Sequence, residues 1–150
     1  MRSPLPRLTF LGCLAVGSLG LGCGGESTQS TRADAGPPAT FIDVQLVLNG
    51  AGCTESGCHG ADQKGGLDLV SAPWDALVNA KAENCTGAER KRVVPGNPGK
   101  SYLLNKVRGT GLCSGSRMPR GCGNGTGPKC LSDEDIVVLE SWIAASAALE

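Results

Sequence analysis

The sequence predicts an all-α domain of about four short helices joined by long loops. Three observations carry this. Apolar residues recur at helical spacing in four places, each with its own start signal, and no alternating run is long enough for a paired strand. The connecting segments are rich in glycine and cysteine rather than in β-branched residues. The first such helix begins only at residue 40, and what precedes it has the composition of targeting and tether rather than of a core.

Thr40-Phe41-Ile42-Asp43 places a hydroxyl at the N-cap and a carboxylate at the third helical position, the reciprocal pair of a capping box. Phe41, Val44, Val47 and Leu48 follow on one face, and Asn49-Gly50 stops the helix. After a polar loop through Gly65-Gly66, Leu67 to Val70 reads as a short extended stretch by its alternation. Ser71 is the expected cap of a second helix, with Pro73 in its first turn and Trp74, Leu77 and Val78 on its apolar face. Asn97-Pro98 gives the start of a third, Leu103, Leu104 and Val107 its buried stripe, and Gly109 its stop. In the last helix Ser132 caps, and Asp133, Glu134 and Asp135 sit at the positive end of the dipole. Ile136, Leu139 and Ile143 line one face there, with Trp142 flanking it.

At 150 residues the chain is sized for one domain, and its 14 basic residues balance 14 acidic ones, which argues against a nucleic-acid partner. Eight cysteines and 23 glycines stand beside only two Phe, two Trp and one Tyr. Such a chain is short of apolar bulk, and cross-links or a large apolar cofactor are the usual remedies.

Arg2 and Arg7 precede an apolar, glycine-broken stretch from Leu8 to Gly22 that is too short to span a membrane comfortably and reads as a signal peptide. Leu21-Gly22-Cys23 resembles the lipobox of bacterial lipoproteins, which implies cleavage before Cys23 and acylation of its thiol. The expected organisation is a signal peptide over 1–22, a flexible tether over 23–39 and a folded domain over 40–150. Export places that domain in the cell envelope or periplasm, held by lipid to the inner or outer membrane, where disulfides persist.

Residues 53 to 60 read Cys-Thr-Glu-Ser-Gly-Cys-His-Gly. Two cysteines followed directly by a histidine is the arrangement by which haem c is attached: the thiols add to the two vinyl groups and the imidazole is aimed at the iron. Here the spacer between Cys53 and Cys58 is four residues where two is usual, and His59 is the only histidine of the chain. The alternative is a local disulfide or metal clip. A four-ligand zinc site, however, lacks a second closely spaced pair among Cys85, Cys113, Cys122 and Cys130. A second axial ligand points to Met118, because Met1 leaves with the signal.

The remaining four cysteines can pair in three ways, and the sequential pairing is favoured. Cys122 with Cys130 closes a glycine-rich loop, and Cys85 with Cys113 steadies the segment before Met118. Glu89-Arg90-Lys91-Arg92 is expected to be a solvated face, with an arginine as candidate partner for a haem carboxylate. Gly99-Lys100-Ser101 looks like the end of a phosphate-binding loop, but Val94 stands where its first glycine belongs.

His59-Gly60, Gly66-Leu67-Asp68-Leu69, Val93-Val94-Pro95-Gly96-Asn97-Pro98, Ser101-Tyr102-Leu103-Leu104, Met118-Pro119 and Leu131-Ser132 through Trp142-Ile143 follow in that order. Together they resemble the successive motifs of the small planctomycete-type cytochrome c domains of bacterial envelopes, over Phe41 to the C-terminus. The resemblance implies a cytochrome c fold, with first and last helices crossing, one haem between them and the methionine loop, and His59 and Met118 on its two sides. It also implies a monohaem electron carrier rather than an enzyme, exchanging single electrons with redox partner proteins of the envelope. Two other classes stay open: a haem peroxidase-like enzyme with an open iron site, and a haem-free, disulfide-stapled lipoprotein with a binding or scaffolding role. No Ser-His-Asp set or spare histidine supports a hydrolase.

Overall fold

The computed structural model describes residues 36–86, 89–122 and 130–150. The signal peptide, Cys23 and the tether as far as residue 35 lie outside the described residues. Among those described there are four α-helices, α1 (Phe41–Gly50), α2 (Pro73–Leu77), α3 (Tyr102–Arg108) and α4 (Asp133–Ala144), and two 3₁₀ turns at Lys64–Gly66 and Pro98–Lys100. No β-strand forms among them, only two isolated bridges, Val78 with Val93 and Lys81 with Lys91. The domain is all-α.

Both long helices start on complete capping boxes. Thr40 Oγ1 accepts from the Asp43 amide, and the Asp43 carboxylate accepts from the Thr40 amide at 2.8 Å. Ser132 and Asp135 repeat the exchange at 3.1 and 3.0 Å. A cap of this kind stabilises a helix by about 1 kcal/mol. Phe41, Val44 and Leu48 of α1 pack against α4, with the Phe41 and Trp142 rings 5.4 Å apart, and Leu77, Val93, Leu104 and Val107 complete the same core.

Five sequence expectations need correction. Trp142 does not flank the α4 stripe but belongs to it, at 1 % exposure, so that Ile136, Leu139, Trp142 and Ile143 form one wide buried face. Ser71 does not cap α2; Ala72 occupies that position without a side-chain bond. The reason is Asp68, whose Oδ1 accepts the amides of Val70 and Ser71 at 2.8 and 2.9 Å and folds the chain into an Asx turn. The same turn ends the expected extended stretch, leaving Leu67 with extended backbone, and Val78 falls just beyond α2 to bridge Val93. At Asn97-Pro98 the start signal begins the 3₁₀ turn, with Asn97 Oδ1 accepting from the Lys100 amide at 3.1 Å. α3 follows from Ser101 and stops as expected at Gly109, whose φ of +74° suits glycine.

The C-terminal residues are fastened to the core by the two indoles. Trp74 Nε1 donates to the Ala147 carbonyl at 3.0 Å and Trp142 Nε1 to the Ala148 carbonyl at 2.7 Å. The cysteines pair sequentially, Cys85 with Cys113 and Cys122 with Cys130, with Cα separations of 5.3 and 5.4 Å. Disulfides of this kind belong to oxidising compartments. No helix among the described residues is long and apolar enough to cross a membrane.

Candidate functional site

The site begins where α1 ends. The Leu48 and Asn49 carbonyls accept the amides of Cys53 and Gly52, each at 2.9 Å, and Gly52 takes a φ of +71°. Cys53 is thereby carried into the core. The four residues from Thr54 to Gly57 are absorbed by turns: the Glu55 carbonyl accepts from Cys58 at 2.9 Å and from Gly60 at 3.2 Å, and the Cys53 carbonyl accepts from His59 at 3.0 Å. The longer spacer therefore folds back on itself, and both cysteines border one cavity. Gly60 lies against the carbonyls of Thr54 and Glu55, where a Cβ would stand only 2.9 Å from the Glu55 oxygen. A side chain there requires the backbone to move.

His59 is held by its ring. Nδ1 lies 2.7 Å from the Lys64 carbonyl, an acceptor, so Nδ1 carries the proton and Nε2 the lone pair. Burial holds the imidazole below its ordinary pKa; the Lys64 carbonyl opposes this, and the Arg92 and Lys106 cations reinforce it. A neutral imidazole fixed through one nitrogen is the form in which histidine ligates a metal. Burial, with Cys58 and Glu55 adding to it, pushes the Cys53 thiol up to about 11. Cys53 and Cys58 are both free thiols, not joined to each other.

Met118 is positioned by the C-terminal end of α3, whose last carbonyls have no partner within the helix. The Lys106 carbonyl accepts the Met118 amide at 2.8 Å, and the Val107 carbonyl accepts Arg117 Nε at 2.7 Å. Lys106 Nζ reaches back to the carbonyls of Ser114 and Ser116 at 3.2 and 2.7 Å. The same loop is tied by the Cys113 disulfide and by the Cys113 amide, which donates to the Tyr102 hydroxyl at 3.2 Å.

Cys53, Cys58, His59 and Met118 line one cavity of about 280 Å³. Its walls are largely apolar, from Leu48, Leu67, Leu69, Leu77, Leu103 and Val107, and Lys64, Arg92, Lys106 and Arg120 supply cations. Small-molecule sites start at roughly 300 Å³ and share this make-up of apolar walls with a few placed polar groups. Two thiols, an oriented imidazole, a thioether and cations beside an apolar slot fit a haem, with its two vinyl groups, its iron and its carboxylates. Among the described residues no group of three or more His, Cys, Asp and Glu side chains comes together to hold a metal ion. No family model, curated protein or solved structure matches this chain.

The expected solvated face at Glu89–Arg92 holds for Glu89 and Lys91, which are exposed, but not for the two half-buried arginines. Arg90 lies over the Tyr102 ring at 5.7 Å and donates to the Gly111 carbonyl at 2.7 Å, while Lys91 donates to Asn79 Oδ1 at 3.1 Å. Arg92 is half-buried and donates to three main-chain carbonyls. Lys64 and Lys106 are site residues that sequence reasoning missed, and Arg92 was offered only as one of two arginines that could meet a haem carboxylate. Each acts through or upon a backbone carbonyl, and no residue pattern announces such a bond.

Proposed function

We propose that this chain carries one covalently attached haem c and serves as a single-electron carrier of the cell envelope, lipid-anchored through Cys23. One observation supports it above the rest: Cys53, Cys58, His59 and Met118, chosen from the sequence for their chemistry alone, border the same apolar cavity. Bound there, haem iron would supply a one-electron change of valence. Cys53 and Cys58 would each add S–H across a vinyl group, the sulfur bonding one carbon and the proton going to the other. His59 would offer Nε2 to the metal while the Lys64 carbonyl keeps Nδ1 protonated, and Met118 would offer its thioether sulfur. The leucine and valine walls would exclude water, and no proton-transfer step is required of any side chain.

The test is expression of the full chain in a host that matures c-type cytochromes, followed by intact mass and the spectrum of the denatured haem. A mass increase of one haem, lost from Cys53→Ser and Cys58→Ser together, is the expected result. A colourless product of unmodified mass sinks the proposal. Met118→Ala separates carrier from peroxidase-like enzyme: an altered spectrum and potential belong to the carrier, and unchanged ones to an iron left open to substrate.

A further inference from the structure

The loop that holds His59 has its own internal bonds, the Lys64 amide to the Cys58 carbonyl and Gln63 Nε2 to Asp68 Oδ2, both at 2.9 Å, and one side chain, Arg92, ties it to α2. Arg92 Nη2 donates to the carbonyls of Gly65 and Gly66 at 3.2 and 2.7 Å, and its Nη1 donates to the Ala76 carbonyl of α2 at 2.9 Å. Its main chain is equally committed, the amide to the Ala80 carbonyl at 2.8 Å and the carbonyl to the Leu103 amide of α3 at 2.9 Å. Gly65 and Gly66 take φ values of +70° and +64°, and a Cβ at Gly66 would stand 3.1 Å from the Glu83 side chain. Two consecutive residues in the left-handed region turn both carbonyls to one cation, an arrangement open to glycine at little cost. The residue directly before them is Lys64, whose carbonyl receives the His59 ring proton.

We propose that Arg92 is the positioning residue for the His59 imidazole. Its planar fork fixes three carbonyls at once, which one ammonium cannot match in geometry, and so fixes the Lys64 carbonyl that chooses the tautomer and the plane of the ring. Resting on the haem proposal above is a second consequence. A half-buried cation on the cavity wall disfavours the oxidised, more positive iron and raises the reduction potential.

The sole histidine gives one unambiguous ring resonance. In the purified full-length protein, labelled with ¹⁵N-histidine, the His59 Nδ1 proton is expected to exchange with solvent at least tenfold faster in Arg92→Gln, while α4 amides keep wild-type protection. Arg92→Lys is expected to lose that ring protection but keep the potential, because the charge stays. Arg92→Gln is expected to lower the potential, each tenfold shift of the oxidised-to-reduced ratio being about 59 mV for one electron. Ring exchange unchanged in both variants overturns the proposal, and so does a parallel loss of α4 protection, which marks a merely structural residue. If Arg92→Gln fails to fold, Arg92→Lys decides through the ring proton. A wild-type protein without haem refutes the proposed function alone, since the ring proton still reads whether Arg92 orients His59.

Discussion

The contact between α1 and α4 and the loops around the cavity are held by different physics. Where the two helices meet, Phe41, Val44, Leu48, Leu139, Trp142 and Ile143 are all nearly inaccessible to solvent, and shape and apolar area supply the stability. Around the cavity, order comes from cations bonded to main-chain carbonyls: Arg90 to Gly111, Arg92 to Ala76, Gly65 and Gly66, Lys106 to Ser114 and Ser116, and Arg117 to Val107. Among the described residues, the ion pairs of Lys64 with Asp62 and Arg108 with Glu140 add little by comparison because they are substantially exposed. A chain with few aromatics keeps a slot open in this way. Loops pinned by their backbones leave side-chain space vacant, whereas loops pinned by apolar packing fill it.

The sharpest way to break this division is Trp142→Ala. Truncating a large core aromatic typically costs about 3–5 kcal/mol, and urea unfolding should show that loss as a single cooperative transition affecting both regions. A loss below about 1 kcal/mol would mean that the helical contact does not carry the domain. Next are the disulfides, which staple only the loop side. By chain entropy, Cys85→Ser with Cys113→Ser, at a separation of 28 residues, should cost about 3.6 kcal/mol, and Cys122→Ser with Cys130→Ser, at a separation of 8, about 2.5 kcal/mol. The same unfolding curves rank the two, and a reversed order would point to enthalpic rather than entropic stapling.

Gly109→Ala sharpens the comparison at the junction, because a Cβ there would meet Arg117 carbons at 3.0 to 3.2 Å in a left-handed backbone. The expected loss is about 1–2 kcal/mol, with faster amide exchange at Met118 than at α4. The smallest effect concerns Asp68, whose exposed carboxyl is held below its ordinary pKa by the amides of Ser71 and Val70. A lowered folded-state pKa gives stability that is full above the unfolded value and is lost as pH falls through the folded one. The urea midpoint should therefore drop as pH falls below about 4, and less steeply in Asp68→Asn. Parallel slopes in the two proteins would remove Asp68 as a source.

What could be read in the sequence follows the same division. Helix existence and faces were legible because a capping box and a 3.6-residue stripe are local, as at Thr40–Leu48 and Ser132–Ile143. The Ser71 cap failed because Asp68, three residues earlier, takes the Val70 and Ser71 amides and folds Ser71 into a turn, so the helix starts one residue later, an outcome that propensity alone does not decide. The cavity-lining quartet was legible because each member is a rare residue type with specific chemistry: the sole histidine, the cysteines beside it, and the one methionine besides Met1. Lys106 was not, and Arg92 only as one of two arginines, since their partners are carbonyls brought close only by the fold. Arg90 and Arg92, half-buried beside the exposed Lys91, looked solvated for the same reason.

Both tryptophans donate to neighbouring carbonyls in the last few residues of the chain. Both of the protein's indoles thus clasp one short terminal stretch. A tag fused there, or removal of Ala147 to Glu150, disturbs both together, which makes their N–H resonances a gauge of how firmly the tail is latched. Purification handles belong at the other end of the folded domain.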